Sequence, residues 1–115
     1  MKFHLTLITE DQAHPEKAQQ LAALIVKILD ANCEPKIAKY AKFTNAYKIE
    51  IRGTVASNID AIELTDRLCS PWSVTYNRLE NTIELMFNKT EHSRFIKIEF
   101  NVLAWGNFVV EKEDV

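Results

Sequence analysis

Three histidines, two cysteines and a few closely spaced carboxylates are the residues of this 115-residue chain that could do chemistry. His4-Leu5-Thr6-Leu7 sets an imidazole two positions before a hydroxyl in an alternating segment, so a strand would point both to one face. There an imidazole could take or give a proton. His14 is followed by Pro15-Glu16 and His92 by Ser93-Arg94, so neither repeats the pattern. The plainer reading of His4 is a histidine on the outer face of a first strand. Glu91-His92-Ser93-Arg94 gathers a base, a hydroxyl and a cation, but nucleophile and base normally come from separate elements, and the four residues read as a solvated hairpin turn. His4, His14, His92, Cys33 and Cys69 lack the short spacing of a zinc site, so neither metal nor cofactor is expected. Glu63 and Asp66, three apart, suit an exposed helix face. The chain has two glycines, Gly53 and Gly106, too few for a phosphate-cradling loop or a dinucleotide-binding turn.

His4-Leu5-Thr6 resembles one half of the signature of the two-histidine phosphoesterases, in which paired His-x-Thr/Ser tripeptides face each other across a cleft. The resemblance implies an acid–base role for His4 and phosphate binding by Thr6; the second tripeptide is missing from this sequence. A second constellation is basic and aromatic: Lys36, Lys39, Lys42, Lys48 and Arg52 interleave with Tyr40, Phe43 and Tyr47. Lysines against phosphates and rings under bases are the ingredients of single-stranded RNA binding. Asn45-Ala46-Tyr47-Lys48-Ile49-Glu50-Ile51 does not match the aromatic motif of the RNA-recognition fold, and a net charge of −2 also weighs against nucleic acid.

The elements that must position these residues follow from periodicity. Phe3, Leu5 and Leu7 alternate with His4, Thr6 and Ile8, a strand whose second face is not fully polar. Pro15 and Glu16 open a helix running to about Asn32, with Ala18, Leu21, Ala22, Ile25, Ile28 and Leu29 on one side. Residues 36–43 read as a strand, although lysines every three residues also fit a helix. Tyr47, Ile49 and Ile51 make a half-buried strand to about Val55. A Ser57/Asp60 capping pattern opens a second helix, with Ala61, Ile62, Thr65, Leu68 and Cys69 inward and Pro71 as the stop. Trp72–Tyr76, Ile83–Phe87 and a longer Ile96–Val102 read as strands, joined by polar connections of hairpin length. Gly106-Asn107 reads as a tight turn into a short edge strand, Phe108 to Val110, while Gly53, inside a strand pattern, reads as a bulge or a close backbone approach. The expected class is α+β: a mostly antiparallel sheet with two helices on one face, in ferredoxin-like β-α-β-β-α-β order extended by C-terminal hairpin strands.

The length fits a single domain spanning residues 1–115, and 47% hydrophobic residues with little net charge exclude intrinsic disorder. No apolar run approaches the ~20 residues of a membrane helix, so no membrane partner is expected. Without a secretion-type leader and with two cysteines, a reducing, cytoplasmic setting is the expectation. Charge is uneven: residues 1–54 carry eight Lys/Arg against six Asp/Glu (+2), and residues 55–115 carry six against ten (−4). If Ile96, Ile98, Phe100 and Val102 face the core, then Phe95, Lys97, Glu99, Asn101, Leu103 and Trp105 face away, beside Glu84 and Met86.

In length, acidity and lack of a catalytic motif the chain resembles the small α/β immunity proteins encoded beside bacterial contact-dependent growth inhibition toxins. The resemblance implies a non-enzymatic module that neutralises a cognate toxin domain, such as a nuclease, by direct binding. On that expectation Glu80, Glu84, Glu91 and Glu99 supply charge complementary to a basic cleft, and Trp105 supplies an anchor.

Overall fold

A computed structural model describes residues 1–111 as an α+β fold, with two helices and a six-stranded sheet in which every pairing is antiparallel. The strands are β1 (Lys2–Thr9), β2 (Lys36–Lys39), β3 (Tyr47–Thr54), β4 (Cys69–Ser70), β5 (Ser73–Asn77), β6 (Thr82–Asn88), β7 (Arg94–Phe95) and β8 (Leu103–Glu111). The sheet order is β2-β3-β1-β8-β6-β5, and β4 and β7 pair separately as a two-stranded ladder.

Alternation in β1 buries Phe3, Leu5 and Leu7 and leaves His4 and Thr6 half-buried on the opposite face. Helix α1 (Pro15–Leu29) starts with proline in its first turn and Glu16 at the positive end of the dipole. It buries Ala18, Leu21, Ala22, Ile25 and Leu29. It stops short of Asn32 because Asp30 turns left-handed at φ 54°, where its N–H bonds back to the Lys27 carbonyl. Helix α2 (Asn58–Asp66) is capped as its sequence indicates, with the Ser57 hydroxyl accepting from the Asp60 N–H at 3.2 Å. Ala61 and Thr65 are its buried positions, while Ile62 stays partly exposed. Both helices pack on the side of the sheet carrying Leu5, Leu7, Ile49, Ile51, Leu85, Phe87 and Phe108, which forms one core.

Three expectations are corrected by this architecture. The strand on the far side of β1 is the last of the chain, β8, and not the one following α2. The first six elements run β-α-β-β-α-β as expected, but the β5–β6 hairpin is interposed before β8, so the later strands are not simply appended beyond a completed ferredoxin-like sheet. Second, residues 96–102 are not a long strand. After Asn88 the chain leaves β6 without a hairpin return, and β7 pairs with β4 (Phe95 opposite Cys69). The Ile96 N–H bonds to the Leu68 carbonyl, and a 3-10 helix, Ile98–Val102, follows. That turn buries Phe100 completely and leaves Ile98 79% exposed, and Ile96 just before it is 63% exposed.

Third, Gly106-Asn107 is not a turn: both residues lie inside β8, with Gly106 opposite Leu7 on β1 and Phe87 on β6. The glycine is needed for space. A Cβ there would sit 2.7 Å from Trp72 Cη2, because the indole lies across the strand. Gly53 is the expected close approach: its cross-strand partner Phe3 lays its ring where a Cβ would come within 2.6 Å, and that ring stacks on Phe108 at 4.6 Å.

Candidate functional site

Among the described residues, neither α1 nor α2 packs on the face of the sheet that carries His4, Thr6 and Ile8. The strand registers set its side chains in rows. One row crosses four strands as Lys48, Ile8, Trp105 and Asn88; the next runs Glu50, Thr6, Asn107 and Met86; the third runs Arg52, His4, Val109 and Glu84. Such alternating faces are usually polar and solvated. Here Ile8, Met86, Val109 and Trp105 are interspersed among charges, a mixture suited to binding.

At one end of this face the β2–β3 connection, residues 40–46, folds over the first row. It is held there by backbone bonds from Tyr40 N–H to the Ala46 carbonyl (2.9 Å) and from Gln12 N–H to the Asn45 carbonyl (2.9 Å). Asn45 takes a left-handed conformation at φ 57°, which its short polar side chain tolerates. The Thr9 hydroxyl both accepts from the Tyr47 N–H and donates to its carbonyl, fixing the root of the loop. Between loop and sheet lies a groove of about 820 Å³ lined by Thr6, Ile8, Tyr40, Lys42, Phe43, Lys48 and Trp105, among others. That volume lies within the range of small-ligand sites.

Tyr40 and Phe43 pack ring to ring at 5.7 Å, with Phe43 57% exposed and the Lys42 ammonium 5.8 Å from its ring centre. Glu10 at the groove's rim is neutralised by Lys89, whose ammonium also bonds the Asn101 carbonyl. Lys48 lies 3.7 Å from Glu50. The groove is therefore aromatic, and its lining carries two cations, Lys42 and Lys48, the second beside Glu50.

Of the residues anticipated for partner binding, the structure brings two onto this face. Trp105 lines the groove, and Glu84 lies two rows away, where its carboxylate accepts a 2.7 Å hydrogen bond from Asn107 Nδ2. Glu80 is in the β5–β6 turn, bonded through its N–H to Asn77 Oδ1. Glu91 is 85% exposed in the turn after β6, 3.4 Å from His92, and Glu99 is exposed on the 3-10 helix. These four carboxylates do not converge. Phe95 and Leu103, expected to face outward, instead join the core, Phe95 edge-on to Phe87 at 6.0 Å.

His4 lies on the open face with Nε2 3.4 Å from Glu50 Oε1, without the alignment of a hydrogen bond. His14 is the residue before α1 and His92 is in a distant turn, so the structure brings no second imidazole to His4. Among the described residues no group of three His, Cys, Asp or Glu could hold a metal, and no helix is long and apolar enough to cross a membrane. Cys33 is half-buried and Cys69 fully buried; burial, with Asp66 adding to it, pushes the Cys69 thiol up to about 12.

Ile8 and Asn88 complete the groove and carry no motif, while Thr6, its other polar member, stood out only as part of the His4 tripeptide. The signal for Ile8 was present: an apolar residue at an outward position of β1 needs cover, and the 40–46 loop and Trp105 provide it. The chain matches no family model, no curated protein and no solved structure.

Proposed function

We propose that this protein is a non-catalytic binding module that holds another protein against the open face of its sheet, with Trp105 as the anchor. The observation that carries the reading is the groove: an aromatic side chain on a rigid central strand, beside apolar and charged neighbours, in a concavity open to solvent. Tryptophan in such a setting supplies large contact area at little entropic cost and is enriched among residues that dominate binding energy. The resemblance to immunity proteins names the class of partner, a toxin domain whose activity is blocked by stoichiometric binding. Glu84 is then the acidic contact from the shared face, and Glu80, Glu91 and Glu99 contribute through long-range steering.

The test is binding to the polypeptide encoded beside this gene. Trp105→Ala should weaken the complex by about 30-fold, the equivalent of roughly 2 kcal/mol, chiefly through faster dissociation. Glu84→Lys with Glu99→Lys should slow association in a salt-dependent manner. Wild-type affinity in Trp105→Ala would end the reading.

One observation favours a second reading, single-stranded RNA binding. The groove gathers Tyr40, Lys42, Phe43 and Lys48 beside Trp105, so bases could stack where lysines reach phosphates. A labelled oligonucleotide should then bind with an affinity that falls steeply with salt and is lost in Lys42→Glu/Lys48→Glu. No binding at low salt removes it.

A further inference from the structure

The two edges of the six-stranded sheet are built differently. β2, at one end, is four residues long and carries Lys36 and Lys39, charges that guard an edge against pairing with another strand. β5, at the other end, reads Ser73-Val74-Thr75-Tyr76-Asn77. All five residues are exposed, none is charged, none is proline, and its register with β6 runs without a bulge. Val, Thr and Tyr are strong strand formers. Charge, proline and bulge, three of the usual protections of an edge strand, are missing from this one.

The strand is also complementary to itself. An antiparallel copy related by a two-fold axis at Thr75 sets Val74 opposite Tyr76, Ser73 opposite Asn77 and Thr75 opposite its own equivalent. No charge meets a like charge in that arrangement. Val74 and Tyr76 are in register with Leu85 and Ile83, so they point to the helix side of the sheet, where they stand 49% and 53% exposed. Pairing a β-branched residue with an aromatic one across strands is favourable, and here it would continue the core past its present edge. The Tyr76 hydroxyl already bonds Asn81 Oδ1 at 2.5 Å, which leaves the ring free to pack without stranding a polar group. In the same helix layer α2 exposes Ile59 and Ile62.

We propose that β5 pairs antiparallel with β5 of a second copy, joining two six-stranded sheets into one across a two-fold axis at Thr75. The isologous contact is short, so the dimer is a weak one that forms at high protein concentration. It uses the edge of the sheet and leaves the groove at Trp105 open, so it does not depend on the proposed function.

Sedimentation and light scattering of the full chain from about 5 to 500 μM should show a concentration-dependent rise from one to two chain masses. Thr75→Lys places two ammonium groups opposite each other and should raise the dimer dissociation constant at least about tenfold while leaving the monomer's circular dichroism unchanged. Register is read by cross-linking. In a Cys33→Ser background, Thr75→Cys should form an intermolecular disulfide under mild oxidation, since facing Cβ atoms lie ~4.5–5.5 Å apart. Val74→Cys, which faces Tyr76 and not itself, should cross-link at least about tenfold more slowly. A monomer at every concentration, a dimer unaffected by Thr75→Lys, or equal cross-linking at both positions would each overturn the proposal.

Discussion

Gly106→Ala adds one methyl group, and its cost can be worked from the surroundings. The new Cβ would lie 2.7 Å from Trp72 Cη2, 3.1 Å from Trp72 Cζ3 and 3.1 Å from Leu7 Cδ2. The indole cannot swing aside freely. Its N–H donates to the Cys69 carbonyl at 2.8 Å, and its ring packs on Phe87 with centroids 5.5 Å apart. Overpacking of this kind costs ~1–3 kcal/mol, and replacing glycine by alanine inside a strand returns ~0.5–1 kcal/mol through the unfolded chain. The net loss should be about 1–2 kcal/mol, which for a domain of this size lowers the melting temperature by roughly 5–10 °C. Urea and thermal denaturation of wild type, Gly106→Ala, Trp72→Leu and the double variant form a cycle that isolates the contact. Trp72→Leu is destabilising by itself, but in its background Gly106→Ala should be neutral or slightly stabilising, because the ring that collides is gone. A neutral Gly106→Ala in the wild-type background, or the same cost in both backgrounds, would refute the reasoning.

Three further outcomes follow from the two thiols and the cap of α2. Cys69 is protonated in the folded protein and its thiol is raised from 9.0 to about 12 by burial, so the unfolded chain gives up this proton first. Its contribution to stability is therefore intact below pH 9 and lost progressively between pH 9 and about 12; urea titrations across that window should fall more steeply for wild type than for Cys69→Ala, and equal slopes would contradict the assignment. In the folded state at pH 8, a thiol reagent should modify half-buried Cys33 well before Cys69. Ser57→Ala removes the acceptor for the Asp60 N–H and should cost about 1 kcal/mol, read as a lower urea midpoint at unchanged slope, while Ser57→Asp should retain most of the stability.

Local patterns in the sequence carried the elements whose burial is simple. The i, i+3, i+4 stripe of α1, the Ser57 cap, and the alternation of β1, β3 and β6 each solve one burial problem in one way. The segment Ile96–Val102 departs from its local pattern, in which Ile96, Ile98, Phe100 and Val102 alternate like a strand. Their environment is set by the distant Leu68 carbonyl and by β4, which no local pattern reveals. The strand order was lost for the same reason, since the partner of β1 is chosen across the whole chain. At the candidate site, Trp105, Tyr40, Lys42, Phe43 and Lys48 were visible as residue types but belonged to two separate arguments. Only the fold of the 40–46 loop over the sheet puts them in one groove.

The position of Trp105 depends on one irregularity. Residues two apart on a regular strand share a face, so Leu103 and Trp105 should both point outward or both inward. Instead Leu103 is fully buried in the core while Trp105 lines the groove on the other side. The β1–β8 register explains the difference: it runs evenly to Ile8 opposite Trp105, then slips, with Thr9 opposite Leu103 and Ala104 left over. A bulge is the one-residue insertion that reverses facing without breaking the sheet, and such bulges gather beside functional sites. Here it satisfies two demands at once. The core takes Leu103 beside Phe100, and the open face receives an indole on its first row, next to Ile8 and under the 40–46 loop. A regular strand would have had to give up either the buried leucine or the outward tryptophan. That Ala104 itself lines the groove ties the irregularity to the site, and it makes the groove a constructed feature of the sheet and not merely the gap beneath a loop.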